Sequence, residues 1–176
     1  DEKAPLTNKT IVGQYAPGST FKMLVALAAL EKGAISAESH VYCSGKVRLG
    51  NATFHCWKKR GHGSLDVAGA ITQSCDVFFY EAAKRVGIER IGEMARRFGL
   101  GSKLGIDLPG EKPGLVPSDA WKRAKVGAAW QKGETLITGI GQGFLLATPL
   151  QLAVMAARLA NGGIAVTPHL TRPSAA

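Results

Sequence analysis

The apolar and polar positions of the chain alternate in blocks that predict mainly helices. Residues 20–31 are rich in Leu, Ala and Met, which favour helix, and they leave little polar face. This run follows a Pro17-Gly18 turn and stops before Gly33. We therefore expect a buried helix that begins at Ser19.

Other segments also have apolar residues at helical spacing. Residues 76–86 end before a glycine, residues 88–98 have an amphipathic pattern, and residues 148–161 end before a pair of glycines. A shorter helix is expected over residues 64–72, with Ser64 as its N-cap. Helices therefore dominate the predicted structure.

The remaining segments predict little helix. Residues 1–14 are polar and are expected to be extended, residues 35–63 show no clear period, and residues 99–118 are a loop rich in Gly and Pro. Residues 135–143 are expected to form a strand that enters a Gly-Gln-Gly turn, and residues 164–167 to open another strand.

The composition agrees with a folded domain. The chain has 176 residues, of which 45% are hydrophobic and 20% charged, which is enough for one domain or part of one and excludes a disordered linker. The longest apolar run, residues 23–30, is far below the roughly 20 residues that cross a bilayer, and no signal-peptide pattern begins the chain. Any membrane anchor is expected outside the supplied residues.

The net charge of +9 raises the question of nucleic-acid binding, because Lys and Arg bind phosphates. The basic residues are dispersed in three groups rather than gathered in one stripe, which favours a solvated face or attraction to an anionic envelope surface over nucleic acid. The groups are Lys58, Lys59 and Arg60; Lys84, Arg85, Arg90, Arg96 and Arg97; and Lys122, Arg123 and Lys125.

Ser19 and Lys22 form the first candidate catalytic pair. Three positions apart on a helix, the hydroxyl and the amine share one face, close enough for a hydrogen bond. A lysine beside an apolar helix loses hydration of its charged form, so that a neutral amine becomes able to accept the serine proton. The helix start favours negative charge and makes the Ser19 N–H a candidate oxyanion donor. The alternative is a surface Ser and a snorkelling Lys on a core helix.

Ser74-Cys75-Asp76 is the second candidate, a hydroxyl and a carboxylate just ahead of an apolar helix. Ser64-Leu65-Asp66 has the same spacing, but we assign Ser64 to helix capping because it opens a predicted helix. A capping role for Ser74 remains the alternative.

Four motifs in this order resemble class B penicillin-binding proteins. They are Pro17-Gly18-Ser19-Thr20-Phe21-Lys22, Ser74-Cys75-Asp76, Gly139-Ile140-Gly141-Gln142-Gly143 and Thr148-Pro149-Leu150-Gln151. Asp76 in place of the more usual Asn, the Gly61-His62-Gly63 segment and residues 105–110 look most like the penicillin-binding protein 2 type, which acts in cell elongation. The resemblance implies an α+β fold, namely the helix-rich part of a penicillin-binding-protein and serine β-lactamase-like transpeptidase domain. Residues 1–176 would be a partial domain that lacks most of the central antiparallel sheet.

The resemblance also implies an activity. Ser19 would be acylated by a stem peptide ending in D-Ala-D-Ala, with Lys22 as general base, Ser74 as proton relay and Asp76 orienting Lys22 and the substrate. Transfer to an amine would cross-link peptidoglycan at the periplasmic face of the bacterial inner membrane, and β-lactams would trap Ser19. In the full-length protein, the implied partners are a SEDS-family glycosyltransferase and an MreC-type elongation scaffold, with no nucleic acid.

The third family motif, Lys-Thr-Gly, is absent, since the only Lys-Thr pair, Lys9-Thr10, is followed by Ile11. In this family the Lys-Thr-Gly motif lies on a strand that supplies the second oxyanion N–H. Loss of one such donor alone costs about a hundredfold in rate. We therefore expect these 176 residues alone to have negligible transpeptidase activity.

The three cysteines and a histidine form a candidate structural zinc site: Cys43, Cys56, His62 and Cys75. Four protein ligands would leave no position for a catalytic water. The alternatives are a disulfide between the first two cysteines, or free buried thiols. His40 and His55 are rival imidazoles, and we prefer His62 because its two flanking glycines let the backbone bend.

Two other functions remain open. One is a D,D-carboxypeptidase or a β-lactamase-like hydrolase, in which water takes the acyl group; no motif for a hydrolytic water is visible. The other is a non-catalytic basic zinc-binding module.

Overall fold

The computed structural model describes residues 6–171. Within that range it contains eight α-helices, one 3-10 turn and two sheets of two short strands each, so the predicted α+β, helix-rich fold is confirmed. The helices are α1 Lys9–Val12, α2 Lys22–Glu31, α3 Val67–Thr72, α4 Asp76–Val86, α5 Ile88–Arg97, α6 Asp119–Val126, α7 Lys132–Gly139 and α8 Pro149–Ala160. The strands are β1 Val41–Cys43, β2 Lys46–Leu49, β3 Ala52–His55 and β4 Gly63–Leu65.

Helix α4 is the centre of the core. Its apolar run Val77 to Tyr80 is buried on all sides, and it packs between α2 and α7. At the crossing with α7, a Cβ on Gly139 would lie 2.5 Å from the Cβ of Ala83, so only glycine permits this close approach. The first glycine of the motif at 139–143 therefore serves the packing of α7 on α4.

Helix α2 is buried as its composition predicts, although its first turn differs. Gly18–Phe21 is a 3-10 turn, and the α-helix proper starts at Lys22. Short 3-10 turns are common at helix N-termini. Ser19 therefore lies in the 3-10 turn that directly precedes α2.

The segment 35–63, in which no periodicity was visible, is organised by short antiparallel strands. Strand β1 pairs with β4, with Cys43 opposite Gly63, and β2 pairs with β3, with Lys46 opposite His55. Strands of three or four residues are too short for a period of two to show in the sequence. Their pairing brings residues 43, 56 and 62 to one place.

Several local predictions were wrong. Ser64 lies in β4 and does not cap a helix; the N-cap of α3 is Asp66, whose side chain accepts from the Gly69 N–H at 2.7 Å. The expected strand at 135–143 is largely helix α7. The expected strand at 164–167 is irregular, and within the described part of residues 1–14 the chain contains helix α1. The prediction for residues 1–5 lies outside the described residues.

The last motif ties a loop to the core. Thr148 and Gln151 form a capping box at the start of α8, and Gln151 is fully buried. Its amide nitrogen donates to the carbonyls of Ser102 and Pro113, at 2.9 and 2.8 Å, inside the loop rich in Gly and Pro.

Among the described residues, no helix has both the length and the apolar character needed to cross a bilayer.

Candidate active site

The Ser19 hydroxyl, the Ser74 hydroxyl and the Lys22 amine lie in one hydrogen-bonded chain. Ser74 Oγ lies 2.9 Å from Ser19 Oγ, and Lys22 Nζ lies 3.0 Å from Ser74 Oγ. The amine also donates to the Ser74 carbonyl at 2.9 Å and to Asp76 Oδ1 at 2.6 Å. The structure thus brings together all four residues singled out by the first two motifs.

The path differs in one respect from the expected direct contact between Ser19 and Lys22. Among the described residues, the hydrogen bonds of the Lys22 amine go to Ser74 and Asp76, and Ser19 is reached through the Ser74 hydroxyl. Ser74 therefore lies between the Ser19 hydroxyl and the Lys22 amine, a position from which its hydroxyl could pass a proton between them.

The buried amine of Lys22 is paired with the partly buried carboxylate of Asp76. Only 2% of its side chain is exposed, against 14% for Asp76, and its amine also lies 5.7 Å from the centre of the Phe79 ring. A buried ammonium is tolerated when it is paired and fully hydrogen-bonded, and here three oxygen acceptors surround it. A snorkelling surface lysine, the alternative reading of the sequence, does not describe this side chain.

Ser74 is the one non-glycine residue with positive φ among the described residues, at 50°. That left-handed conformation is costly for a residue with a Cβ, and such residues concentrate at functional sites. Here it turns both the carbonyl and the hydroxyl of Ser74 toward the same amine. Ser74 is not a helix cap: α4 begins at Asp76, with Cys75 as its N-cap.

The turn that carries Ser19 is held in place by the glycine motif at 139–143. The Gly18 N–H donates to the Gly141 carbonyl at 2.9 Å, and a Cβ on Gly141 would lie 2.0 Å from the Gly18 carbonyl oxygen. Three residues before Gly18, Tyr15 exchanges two backbone hydrogen bonds with Ala147, of 2.9 and 2.8 Å. Residues 141–147 thus fix the backbone that presents Ser19.

Cys43, Cys56, His62 and Cys75 converge behind the second motif. Their ligand atoms all lie within 4.8 Å of one another, and His62 Nδ1 is 3.6 Å from the sulfurs of both Cys43 and Cys56. The glycines on both sides of His62 have φ of 77° and 76°, the bend that we expected there. The rival His40 is exposed and its Nδ1 contacts the Glu38 carbonyl.

Three sulfurs and one imidazole nitrogen are the number and kind of donor atoms that a tetrahedral zinc site uses. Zinc bonds are about 2.3 Å long to sulfur and about 2.0 Å long to nitrogen, so a sulfur and a nitrogen on one tetrahedral zinc ion lie about 3.5 Å apart. The separation of His62 Nδ1 from the sulfurs of Cys43 and Cys56 is 3.6 Å. Burial lowers the pKa of His62, with the charge of Lys58 adding to the effect, which favours the neutral form of the ring. Burial also raises the pKa of the Cys75 thiol to about 12.

The model of the penicillin binding protein transpeptidase domain matches residues 1–174. The chain belongs to this family. A curated relative, the peptidoglycan D,D-transpeptidase MrdA of Acinetobacter baumannii, is 42% identical over 170 residues, which are 96% of this chain and 25% of that protein. The Escherichia coli K12 MrdA is 38% identical over 177 residues, 99% of this chain and 28% of that protein.

Solved structures of the family agree. The chain superposes on Pseudomonas aeruginosa PBP2, determined in complex with WCK 5153, with a TM-score of 0.91 and 44% identity over 94% of this chain and 38% of that one. It superposes on Helicobacter pylori PBP2, determined in complex with MreC, with a TM-score of 0.90 and 40% identity, over 94% of this chain and 31% of that one. The expected resemblance to the penicillin-binding protein 2 type is therefore confirmed. The chain spans about a quarter of the length of the curated relatives that it matches.

One residue at the site of this family member was missed by the motifs. Trp57 lies beside Ser74 and Asp76 and donates hydrogen bonds to both. Its partners are 17 and 19 positions away, across a segment without a periodic pattern, so only its place next to Cys56 connects it to a predicted site residue.

Proposed function

We propose that this chain is the nucleophile-bearing part of a peptidoglycan D,D-transpeptidase domain that acts in cell-wall elongation. The observation that carries the proposal is the continuous path from Ser19 Oγ through Ser74 Oγ to the buried amine of Lys22. The family membership supplies the substrate class: a stem peptide ending in D-Ala-D-Ala, with β-lactams as mimics of that end.

Acylation follows from the relay. Lys22 must first lose the proton that it carries in its pair with Asp76. Ser19 then passes its proton to Ser74 as Ser74 passes its own to the amine, while Ser19 Oγ attacks the carbonyl of the penultimate D-alanine. The Asp76 carboxylate, 2.6 Å from the amine, stabilises the ammonium that forms. When the tetrahedral intermediate collapses, the C–N bond breaks and the proton returns through Ser74 to the departing D-alanine amine.

Transfer runs the same relay again. An amine of a second stem peptide attacks the Ser19 ester and gives its proton to Lys22 through Ser74. The collapse then forms the peptide cross-link and restores the Ser19 hydroxyl. Water in place of the amine would make the protein a carboxypeptidase, so the products of the reaction separate these two activities.

Stabilisation of the oxyanion is shared between this chain and the third family motif. The Ser19 N–H lies in the first turn of the 3-10 helix, where backbone N–H groups have no intrahelical partner. Residues 1–176 contain no Lys-Thr-Gly, whose strand gives the second donor in the family. The 176 residues alone are therefore expected to react at least about a hundredfold more slowly than a complete domain.

Zinc is proposed as a structural ion held by Cys43, Cys56, His62 and Cys75. The 3.6 Å separations of His62 Nδ1 from two sulfurs support this donor set. Bound there, the ion would cross-link the irregular segment to the start of α4; it takes no part in the acyl transfer. Because Cys75 lies between Ser74 and Asp76, this cross-link would brace the second motif from behind.

Location and partners are inferred from the relatives. Peptidoglycan cross-linking takes place outside the cytoplasm, which suits the periplasmic face of the inner membrane. A related PBP2 was solved with MreC, and another relative was solved in a study of a peptidoglycan synthase complex that coordinates polymerization and crosslinking. These support an MreC-type scaffold and a SEDS-family glycosyltransferase as partners of the full-length protein.

A completed domain tests the proposal. In it, residues 1–176 replace the aligned segment of the Escherichia coli relative, so that the rest of that protein supplies the third motif. We expect a fluorescent penicillin to acylate the completed domain, with the label mapped to Ser19 by peptide mass spectrometry, and Ser19→Ala to abolish labelling.

Two further results decide between the candidates. Incubation with a stem pentapeptide and an acceptor amine should give cross-linked dimer in excess of the hydrolysed tetrapeptide, whereas hydrolysis alone would favour the carboxypeptidase. A completed domain that is folded by circular dichroism and takes up no penicillin would refute the proposed function.

A further inference from the structure

Trp57 contacts the second motif through two different donors, and the relay described above uses neither. Its main-chain N–H donates to Asp76 Oδ2 at 2.9 Å. Its indole Nε1 donates to the Ser74 carbonyl at 3.1 Å and to the Gln73 carbonyl at 3.2 Å. Hydrogen bonds therefore join residue 57 to the turn that carries Ser74 and to the carboxylate at the start of α4.

The indole bond acts on a strained turn. The Ser74 carbonyl accepts from both Lys22 Nζ and the Trp57 indole, so two donors from different parts of the chain fix the plane of that peptide group. The residue has a φ of 50°, which the surrounding structure must hold in place. Rotation of that plane would take the Ser74 carbonyl away from the Lys22 amine, which also contacts the Ser74 hydroxyl.

The main-chain bond acts on the carboxylate. Lys22 holds one oxygen of Asp76 and the Trp57 N–H holds the other, so the orientation of the carboxylate about its χ2 angle is fixed at both ends. This explains how an Asp can serve where the family more often has Asn: the second oxygen faces a donor and needs no N–H of its own.

Burial does not account for Trp57. The residue is 63% exposed, so little of its large apolar surface is removed from water. What holds it is the preceding Cys56, which is buried, and the His62 ring, with which the indole makes an edge contact at 5.2 Å between centroids. Its position is thus set by the cysteine and histidine cluster, and its donors point to the second motif.

We propose that Trp57 is a positioning residue for acylation: its indole N–H holds the Ser74 peptide in the conformation that aligns the relay. The inference rests on the proposed function, because it gives Trp57 a role in the same acylation step. It predicts an effect on the chemical step, with little effect on the binding of the β-lactam before it.

The test compares two tryptophan analogues introduced at codon 57 of the completed domain. β-(3-Benzothienyl)alanine has the shape of tryptophan without the N–H, and 5-fluorotryptophan keeps the N–H. Stopped-flow kinetics with penicillin then give the acylation rate constant and the dissociation constant of the non-covalent complex separately. Trp130→Phe is the matched control, because it also removes one indole hydrogen bond, to Thr135 Oγ1 at 2.8 Å, away from Ser74.

We expect the benzothienyl domain to acylate about three- to tenfold more slowly, the range for a net hydrogen bond of about 1 kcal/mol. The dissociation constant should stay unchanged, the fall in melting temperature should be no larger than that of Trp130→Phe, and 5-fluorotryptophan should acylate like tryptophan. Equal rate constants in the benzothienyl and parent domains would overturn the inference and leave the proposed function standing. A parent domain that takes up no penicillin would overturn both. A loss that is equally large with 5-fluorotryptophan or with Trp130→Phe would also overturn the inference.

Discussion

Ser74 offers Lys22 both its carbonyl and its hydroxyl oxygen, at 2.9 and 3.0 Å from the amine. This double contact exists because the residue has the left-handed backbone conformation, with φ of 50°. Ser74 thus has both a strained backbone and the hydroxyl of the proposed relay. Substitutions at position 74 should separate the effect of the strain on stability from the effect of the hydroxyl on acylation.

Ser74→Gly and Ser74→Ala are expected to differ in stability and to have equal effects on activity. Glycine relieves the positive φ, whereas alanine keeps the strain, so the glycine variant should be about 1 kcal/mol more stable to urea than the alanine variant. Both lack the relay hydroxyl and should acylate about a hundredfold or more slowly. Alanine and glycine variants of equal stability would show that the turn is not strained.

Asp76 is expected to stabilise the fold as well as the site. Asp76→Ala leaves the Lys22 ammonium buried without its counter-charge, which should cost about 3–5 kcal/mol in the free energy of unfolding. Asp76→Asn keeps one acceptor oxygen and should cost less. Urea denaturation measures both, with Glu81→Gln as the control, because that carboxylate pairs with the more exposed Lys84. Loss of the surface pair should leave the midpoint nearly unchanged.

Gly141 is expected to be essential for the turn that carries Ser19. Gly141→Ala puts a Cβ 2.0 Å from the Gly18 carbonyl, so the turn that carries Ser19 must shift, and acylation should fall about a hundredfold. Gly127→Ala is the matched control: both glycines have φ of 75°, but a Cβ at 127 meets nothing within 4 Å. It should cost only the backbone strain, about 1 kcal/mol, and leave acylation intact. Equal activity of the two variants would contradict this role.

Zinc binding is expected to depend on His62 and not on His40. We expect about one zinc per chain by metal analysis, with three thiols that become reactive to Ellman's reagent only after chelation. His62→Ala should lower both the zinc content and the melting temperature, while His40→Ala, at an exposed imidazole, should change neither. A disulfide in place of metal would disprove the site.

Much of the helical structure could be predicted because its signals are local. The buried helix after Ser19 and the helix that starts at Asp76 have apolar runs and clear terminal residues, and both are confirmed. Local signals failed where two readings were close: Ser64 and Asp66 are both good caps, and the pairing of β4 with β1 decides for Asp66.

Helix capping and tertiary packing explain why residues 135–139, predicted as part of a strand, are helical. Thr135, Ile137 and Thr138 are β-branched and favour strands, but a capping box at Gln131 and Glu134 starts a helix there, and its packing on α4 keeps it. The four motif residues of the site could be found because their spacing is typical of the family. Trp57 could not, since its role depends on a loop path that no sequence period describes.

A double-mutant cycle on Ser74 and Lys22 in the completed domain tests the relay most directly. If the two residues act as one proton path, Ser74→Ala and Lys22→Ala should each lower the acylation rate constant about a hundredfold or more, and the double variant should be no slower than the slower single variant. Losses that multiply in the double variant, or a Ser74→Ala domain that acylates at the parent rate, would contradict the relay.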